Sequence, residues 1–160
     1  MPRLALLVLL AACSTPPGEG PPDPTPAPPG VDPTVPAGPG EVRAGVVVEG
    51  GESALWAGIT AEGRPGDISI YNDRVRFVVQ GPYLSHGYVN TGGGLLDADL
   101  VRPEGQLGRD VLEDYFLAFG IGWLFHADSV EIVSDGSDGE PAVVRATGRP
   151  LLWDFIQGVI

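Results

Sequence analysis

The stretch ISIYNDRVRFVVQ, residues 68–80, decides the fold of this chain. Apolar residues recur at every second position on both sides of Asn72-Asp73. That period of two predicts two β-strands whose alternate side chains face opposite sides of a sheet. Asn and Asp tolerate positive φ, so this pair favours a tight hairpin turn. The return strand then carries valine and phenylalanine on one face and Arg74, Arg76 and Val78 on the other.

Further runs with the same period lie on both sides of this hairpin. Residues 42–48, 95–101, 130–133 and 142–146 alternate apolar with polar or small side chains, and turn-forming residues separate them. The stretch 135–139 between the last two runs is a second hairpin signal. The pattern predicts an all-β domain, mainly an antiparallel sandwich.

One short helix is predicted over residues 111–119. Asp110 and Glu113 resemble a capping box, apolar residues follow at helical spacing, and Gly120 stands where a C-terminal cap is expected. Aromatic residues also suit strands. A core strand over residues 119–126 is therefore the alternative.

Composition and charge exclude several classes of function. The chain has 160 residues, with 21 acidic and 9 basic side chains, and a formal net charge of −12. This length allows one domain at most. Nucleic acid is not expected as a partner, because phosphate neutralisation needs a basic surface. The single cysteine excludes an internal disulfide and a cysteine-based zinc site. No nucleophile motif is present, which argues against an enzyme without deciding the question.

Residues 1–12 are typical of a secretory signal peptide. Arg3 precedes an apolar run, residues 4–10, that is too short for a permanent membrane span. Leu10-Ala11-Ala12-Cys13 resembles the lipobox of bacterial lipoproteins. The resemblance implies that the chain is cut before Cys13, that its thiol is acylated, and that a lipid anchor holds the protein in a membrane. Ser14 resembles the outer-membrane sorting pattern of Gram-negative lipoproteins. An ordinary signal peptide with an incidental cysteine is the alternative.

The next segment, residues 13–40, is expected to be a disordered linker that carries the lipid. Residues 14–40 hold eleven prolines and five glycines, so they cannot bury enough apolar surface to offset their ordering entropy. Proline favours extended polyproline II, which makes a stiff tether. The β-rich domain is then expected over residues 41–160. Its apolar last residues favour truncation at Ile160, and a final buried edge strand is the alternative.

Two pairs of carboxylates are candidate calcium ligands, although no cofactor is required by the sequence. Asp97 and Asp99 share one face of a strand, roughly 6 to 7 Å apart, which suits calcium or acid/base work on a glycosidic bond. A cross-strand charge ladder with the two arginines of residues 74–76 is the plainer alternative. Asp135 and Asp138 could gather around calcium with a neighbouring glutamate, or simply serve a hairpin turn.

The irregular stretch between Gly81 and Gly94 is a candidate ligand-binding loop. Aromatic, imidazole and amide side chains there are of the kind that sugar-stacking or peptide-binding loops present. A packed surface loop is the alternative. The candidate ligand-binding residues are Tyr83, His86, Tyr88 and Asn90.

The series 72–75, 92–97 and 135–144 is similar to the opening strands of galactose-mutarotase-like β-supersandwich domains. The resemblance implies a sugar-binding or accessory fold, and the catalytic histidine and glutamate motifs of that family have no matching positions here. The sequence therefore predicts a cell-envelope lipoprotein of a Gram-negative outer membrane. Its domain is expected to be a non-catalytic binding or structural module whose partner is carbohydrate or an envelope protein. The alternative is an N-terminal accessory domain of a larger secreted hydrolase whose catalytic part lies beyond residue 160.

Overall fold

The fold consists of two antiparallel sheets. A computed structural model describes residues 30–83, 92–103, 106–120 and 122–152. The first sheet has the strand order β1-β2-β3-β4, and the second pairs β5 with β6. The six strands are β1 (Val42–Val46), β2 (Ile68–Asn72), β3 (Val75–Val79), β4 (Leu95–Leu100), β5 (Trp123–Ser134) and β6 (Val143–Leu152). The all-β antiparallel prediction is confirmed.

The described ranges contain almost no helix. Their one helical element is a 3-10 turn at Glu52–Ala54. Within these ranges, no helix has the length and apolar character that crossing a membrane requires.

One apolar core lies between the two sheets. The period-two runs place Ala44, Ile68 and Ile70 on one face of the first sheet, and each of the three is at most 4% exposed. They pack with β5 residues of the second sheet, of which Val130 is fully buried. Burying such aliphatic side chains stabilises a fold by about 1.5 to 3 kcal/mol each. The alternation seen in the sequence is therefore the direct cause of the sandwich.

The predicted hairpin between β2 and β3 forms, but its turn is made differently from the expectation. None of the described non-glycine residues has a positive φ, so Asn72 and Asp73 do not use that conformation. Instead, the Asn72 side-chain oxygen accepts hydrogen bonds from the backbone N–H groups of Arg74 and Val75, both at 2.8 Å. The asparagine mimics a backbone turn with its own side chain.

The predicted helix over residues 111–119 is wrong. The segment runs extended, and Tyr115 exchanges two backbone hydrogen bonds of 2.9 Å with Leu95. The Leu117 carbonyl oxygen accepts a further bond of 2.9 Å from the N–H of Phe125. Neighbouring strands use the backbone groups that a helix would need for itself. The alternative strand over residues 119–126 is partly right, since β5 begins at Trp123.

Residues that precede the predicted start of the domain at Glu41 also contact the first sheet. Gly30 forms a β-bridge with Gly45 of β1, and Pro33 is buried. The hydroxyl group of Tyr71 donates to the carbonyl oxygens of Asp32 and Val35, at 3.2 and 2.7 Å. Residues 30–35 therefore belong to the folded domain. Residues 13–29 of the predicted linker, and the signal peptide before them, lie outside the described residues.

Candidate functional site

The second face of the four-stranded sheet carries most of the polar chemistry of the domain. Strand register places Ser69, Val78 and Asp97 in one row across β2, β3 and β4, and Tyr71, Arg76 and Asp99 in the next row. The sequence predicted a solvated charged face here. The structure instead covers this face with residues 31–35 and with the loop between β1 and β2, so that Ser69 and Asp97 are fully buried.

Asp97 holds the covering loop against the sheet. Its two carboxylate oxygens accept hydrogen bonds from the backbone N–H groups of Glu62 and Gly63, at 2.8 and 2.9 Å. The whole residue is 0% exposed. A carboxylate can act on a substrate only from hydrogen-bond reach. Both oxygens of Asp97 are already occupied by backbone donors, so its role in this structure is to bind the loop.

Burial also changes the acidity of Asp97. Removal from water raises the pKa of Asp97 to about 6, and the nearby charges of Asp110 and Asp67 act in the same direction. The hydrogen bonds from Glu62 and Gly63 favour the charged form and oppose the rise. The raised pKa shows that these hydrogen bonds offset only part of the cost of burying the charged carboxylate. Such groups occur at functional and structural sites alike.

Asp110 binds the same loop from the other side. One of its carboxylate oxygens accepts hydrogen bonds from the N–H of Ala98 at 2.9 Å and of Leu112 at 3.3 Å. The other accepts one from the hydroxyl of Thr60 at 3.1 Å. Its backbone also forms a parallel bridge with Gly58. The residue that the sequence suggested as a helix cap therefore joins β4 to the loop.

Asp67 and Tyr83 form the third attachment of this loop. Asp67 accepts backbone hydrogen bonds from Arg64 at 2.8 Å and Gly81 at 2.9 Å, and the hydroxyl of Tyr83 donates to the same carboxylate. Burial raises the pKa of Asp67, and the Tyr83 bond opposes that rise. Burial and the Asp67 charge together raise the pKa of Tyr83. The guanidinium carbon of Arg64 lies 4.0 Å from the centre of the Tyr83 ring.

These contacts bear on the predicted ligand-binding residues. Tyr83 is partly buried and its hydroxyl bonds to Asp67 rather than facing solvent. The other three, His86, Tyr88 and Asn90, lie outside the described residues, as does Cys13. A ligand-binding role for the Gly81 to Gly94 stretch stays a prediction.

Asp99 and Arg76 stand opposite each other, as a charge ladder requires, but they do not form the ion pair. Strand register pairs Arg76 with Asp99, whereas the Asp99 carboxylate bonds to Arg102 and to the N–H of Arg109. The Arg102 bond lowers the pKa of Asp99 to about 2. Asp97 faces Val78 rather than an arginine. The expected ladder is therefore wrong.

Arg76 lies instead between two aromatic rings. Its guanidinium carbon is 4.7 Å from the centre of the Tyr71 ring and 5.6 Å from that of Trp56. One guanidinium nitrogen donates to the carbonyl oxygen of Pro33 at 3.3 Å. Burial lowers the pKa of Arg76, and the Tyr71 ring partly opposes that change. The two cation–π contacts and the Pro33 hydrogen bond offset part of the cost of burying this cation, whose Nε has no hydrogen-bond partner.

The second pair of candidate calcium ligands lies in the turn between β5 and β6. One carboxylate oxygen of Asp135 accepts a hydrogen bond from the N–H of Ser137 at 2.9 Å, and Asp138 accepts one from Glu140 at 3.0 Å. Both contacts are local turn bonds. In the described part of the chain, no group of three or more His, Cys, Asp or Glu side chains is placed to hold a metal ion. The geometry gives the calcium hypothesis no support at either pair.

Sequence reasoning missed the residues that organise this face. Asp67 follows Pro65-Gly66 and carries no motif of its own, and the pattern around Asp110 predicts a helix cap instead. The available signal was weak: each is an acidic residue next to a stretch without strand periodicity. Comparison with known proteins adds no further assignment, since no family model, no curated protein and no solved structure matches this chain.

Proposed function

We propose that this chain is a cell-envelope lipoprotein whose β-domain serves as a non-catalytic binding or structural module. The position of Cys13 carries the proposal: it follows Ala11-Ala12 directly, at the end of an apolar run that begins after a single arginine. One acyl chain gives only marginal membrane binding, and stable anchoring needs a second lipid or a comparable signal. Multiple acylation of an N-terminal cysteine would meet that need.

The chain between the anchor and the folded domain fits a spacer. Residues 14–29 separate Cys13 from Gly30, the first described residue, which bridges to Gly45 of the sheet; half of these sixteen residues are proline. Extended polyproline II rises about 3.1 Å per residue, so the spacer would span at most roughly 50 Å. A domain at that distance can contact other envelope components while remaining attached.

The polar face of the domain supports a non-catalytic role. Asp97 is the acidic side chain with the most strongly raised pKa, yet it is fully buried and both its oxygens accept backbone hydrogen bonds. Asp99 is neutralised by Arg102. Neither carboxylate is placed to reach a substrate in this structure.

The anchor is tested by expressing the full chain in a Gram-negative host and separating membranes from soluble protein. We expect the wild-type chain and a Ser14→Ala control in the membrane fraction, each with a mature N-terminus that starts at an acylated Cys13. The Cys13→Ser variant is expected in the soluble fraction. Membrane association that survives Cys13→Ser, or an unmodified Met1 terminus on the wild-type protein, would contradict the proposal.

Sorting between the two membranes needs a separate variant. The Ser14→Asp change is expected to move the lipidated protein from the outer to the inner membrane, which density-gradient separation would detect. An unchanged distribution would contradict the outer-membrane assignment, while the lipid anchor itself would stand.

A further inference from the structure

Gln80 is buried, and only the oxygen of its side-chain amide group has a hydrogen-bond partner. It is 2% exposed, and its side-chain oxygen accepts a hydrogen bond from the N–H of Gly92 at 3.1 Å. That bond fixes which end of the amide is oxygen, because a backbone N–H needs an acceptor. The amide nitrogen is buried and has no hydrogen-bond partner. Buried polar groups are nearly always paired, and an exception calls for an explanation.

A small cavity adjoins this amide. The other residues that line it are Gly92, Gly94, Leu95, Leu96, Asp114, Tyr115 and Phe116. Its volume of about 10 Å³ is close to what a single water-sized group occupies. The cavity is therefore large enough for one oxygen atom with its hydrogens, and too small for a whole ligand molecule.

The walls of the cavity are held by backbone hydrogen bonds. Leu95 and Tyr115, which both line it, exchange two bonds of 2.9 Å, and the N–H of Gln80 donates to the carbonyl oxygen of Gly94 at 2.8 Å. A Cβ at Gly94 would lie 2.9 Å from the carbonyl oxygen of Tyr115, so the close approach of these segments needs glycine there. The space is thus a fixed feature of the fold.

The mouth of the cavity carries groups that suit a hydroxylated ligand. Tyr115 is 65% exposed, and a flat aromatic ring can pack against an apolar face of a sugar. Asp114 is partly buried beside it and interacts with the side chain of Glu62. A carboxylate next to a buried amide donor offers both an acceptor and a donor to one hydroxyl group.

We propose that this cavity is a site for one hydroxyl-type oxygen, which accepts a hydrogen bond from the side-chain amide nitrogen of Gln80. The oxygen belongs either to an ordered water molecule or to a hydroxyl group of a small sugar or polyol that displaces it. In both cases the occupant completes the hydrogen bonding of Gln80. The inference does not depend on the lipid anchor at Cys13.

The test is a crystal structure of the full chain, as the host produces it, at about 1.5 Å resolution, where ordered waters are resolved. We expect a density peak about 2.7 to 3.2 Å from the Gln80 amide nitrogen. Crystals soaked in glucose, and separately in glycerol, distinguish the two sources. Density continuous with a sugar or polyol identifies a ligand hydroxyl, and an unchanged isolated peak identifies water. An empty cavity in both crystals would overturn the proposal.

A pair of variants tests whether Gln80 holds the oxygen. Gln80→Met removes the donor at similar side-chain length, so the peak should disappear. The matched control Gln106→Met, at an exposed glutamine, should retain it. A peak that persists in Gln80→Met would overturn the proposed role of the amide. If that variant does not fold, the wild-type density alone decides the question.

Discussion

Gly63 donates its backbone N–H to a carboxylate oxygen of Asp97 at 2.9 Å, and a Cβ at position 63 would lie only 2.6 Å from that same oxygen. The loop before β2 therefore approaches β4 as closely as glycine permits. This contact and the neighbouring hydrogen bond from Glu62 join the irregular loop to the buried polar face of the sheet, where Asp97 is 0% exposed. Asp110 and Asp67 attach neighbouring parts of the same loop.

A methyl group at position 63 should loosen the loop. We expect Gly63→Ala to lower the free energy of unfolding, since overpacking of this kind costs about 1 to 3 kcal/mol. The substitution also lowers the conformational entropy of the unfolded chain, which favours folding by only about 0.4 to 1 kcal/mol. Urea denaturation monitored by tryptophan fluorescence would measure the change. Gly38→Ala is the control, because its nearest neighbour, at 3.2 Å, is the end of the half-exposed Glu41 side chain rather than a buried carboxylate; equal losses in both variants would refute the contact.

The stability of the domain should rise on mild acidification. The pKa of Asp97 is raised from 3.8 to about 6 in the folded chain. The folded state therefore binds protons more readily than the unfolded state, so this contribution is complete below about pH 4 and is lost as the pH rises through 6. The raised pKa values of Asp67 and Glu62 act in the same direction. Asp99 opposes them only below about pH 4, since its pKa is lowered to about 2.

The measurement is urea denaturation at several pH values between about 5 and 7.5, where we expect the free energy of unfolding to fall as the pH rises. Asp97→Asn removes the titrating group and should flatten this dependence. At neutral pH it should also cost about 1 to 3 kcal/mol, since its NH₂ group faces a backbone N–H donor. A dependence of opposite sign, or an unchanged slope in Asp97→Asn, would show that Asp97 does not control it.

The sequence predicted the strands in which apolar and polar side chains alternate. It did not predict contacts between residues that are far apart in the chain. The hairpin of residues 68–79 and the strand at Leu95–Leu100 follow from period-two patterning, because that pattern leaves one face apolar. The segment 111–119 was misassigned since its helical spacing is local, whereas its hydrogen bonds go to Leu95 and β5. The burial of Asp97 depends on a loop more than thirty residues earlier in the chain. No local pattern records such a contact.

Tyr71 helps to hold residues 32–35 on the first sheet. Its hydroxyl donates to two backbone carbonyl oxygens of residues 32–35, so Tyr71→Phe should cost about 1 kcal/mol, as expected for a partly buried hydrogen bond. It should also speed proteolysis within residues 30–40, which mass spectrometry of the fragments would locate. Tyr115→Phe, at an exposed tyrosine, should change neither quantity. Unaltered proteolysis in Tyr71→Phe would mean that other contacts hold this segment.

Replacing Arg76 tests how much the contacts of its guanidinium group with the aromatic rings stabilise the fold. Lysine keeps the charge but loses the planar group that stacks on Tyr71 and Trp56 and the bond to the Pro33 carbonyl oxygen. We expect Arg76→Lys to lower the free energy of unfolding by about 1 to 3 kcal/mol.

Arg74→Lys is the matched control for this change, because Arg74 is exposed only two residues earlier in the same hairpin and its replacement should cost less than about 0.5 kcal/mol. The emission of Trp56 should shift to longer wavelength in Arg76→Lys alone, since its ring would lose its cover while its N–H still donates to the residue 76 carbonyl oxygen. Equal stability of the two variants would mean that burial of the aliphatic stem, which lysine preserves, accounts for the packing of this residue. In that case the guanidinium group would contribute nothing to holding residues 31–35 and Trp56 on the sheet.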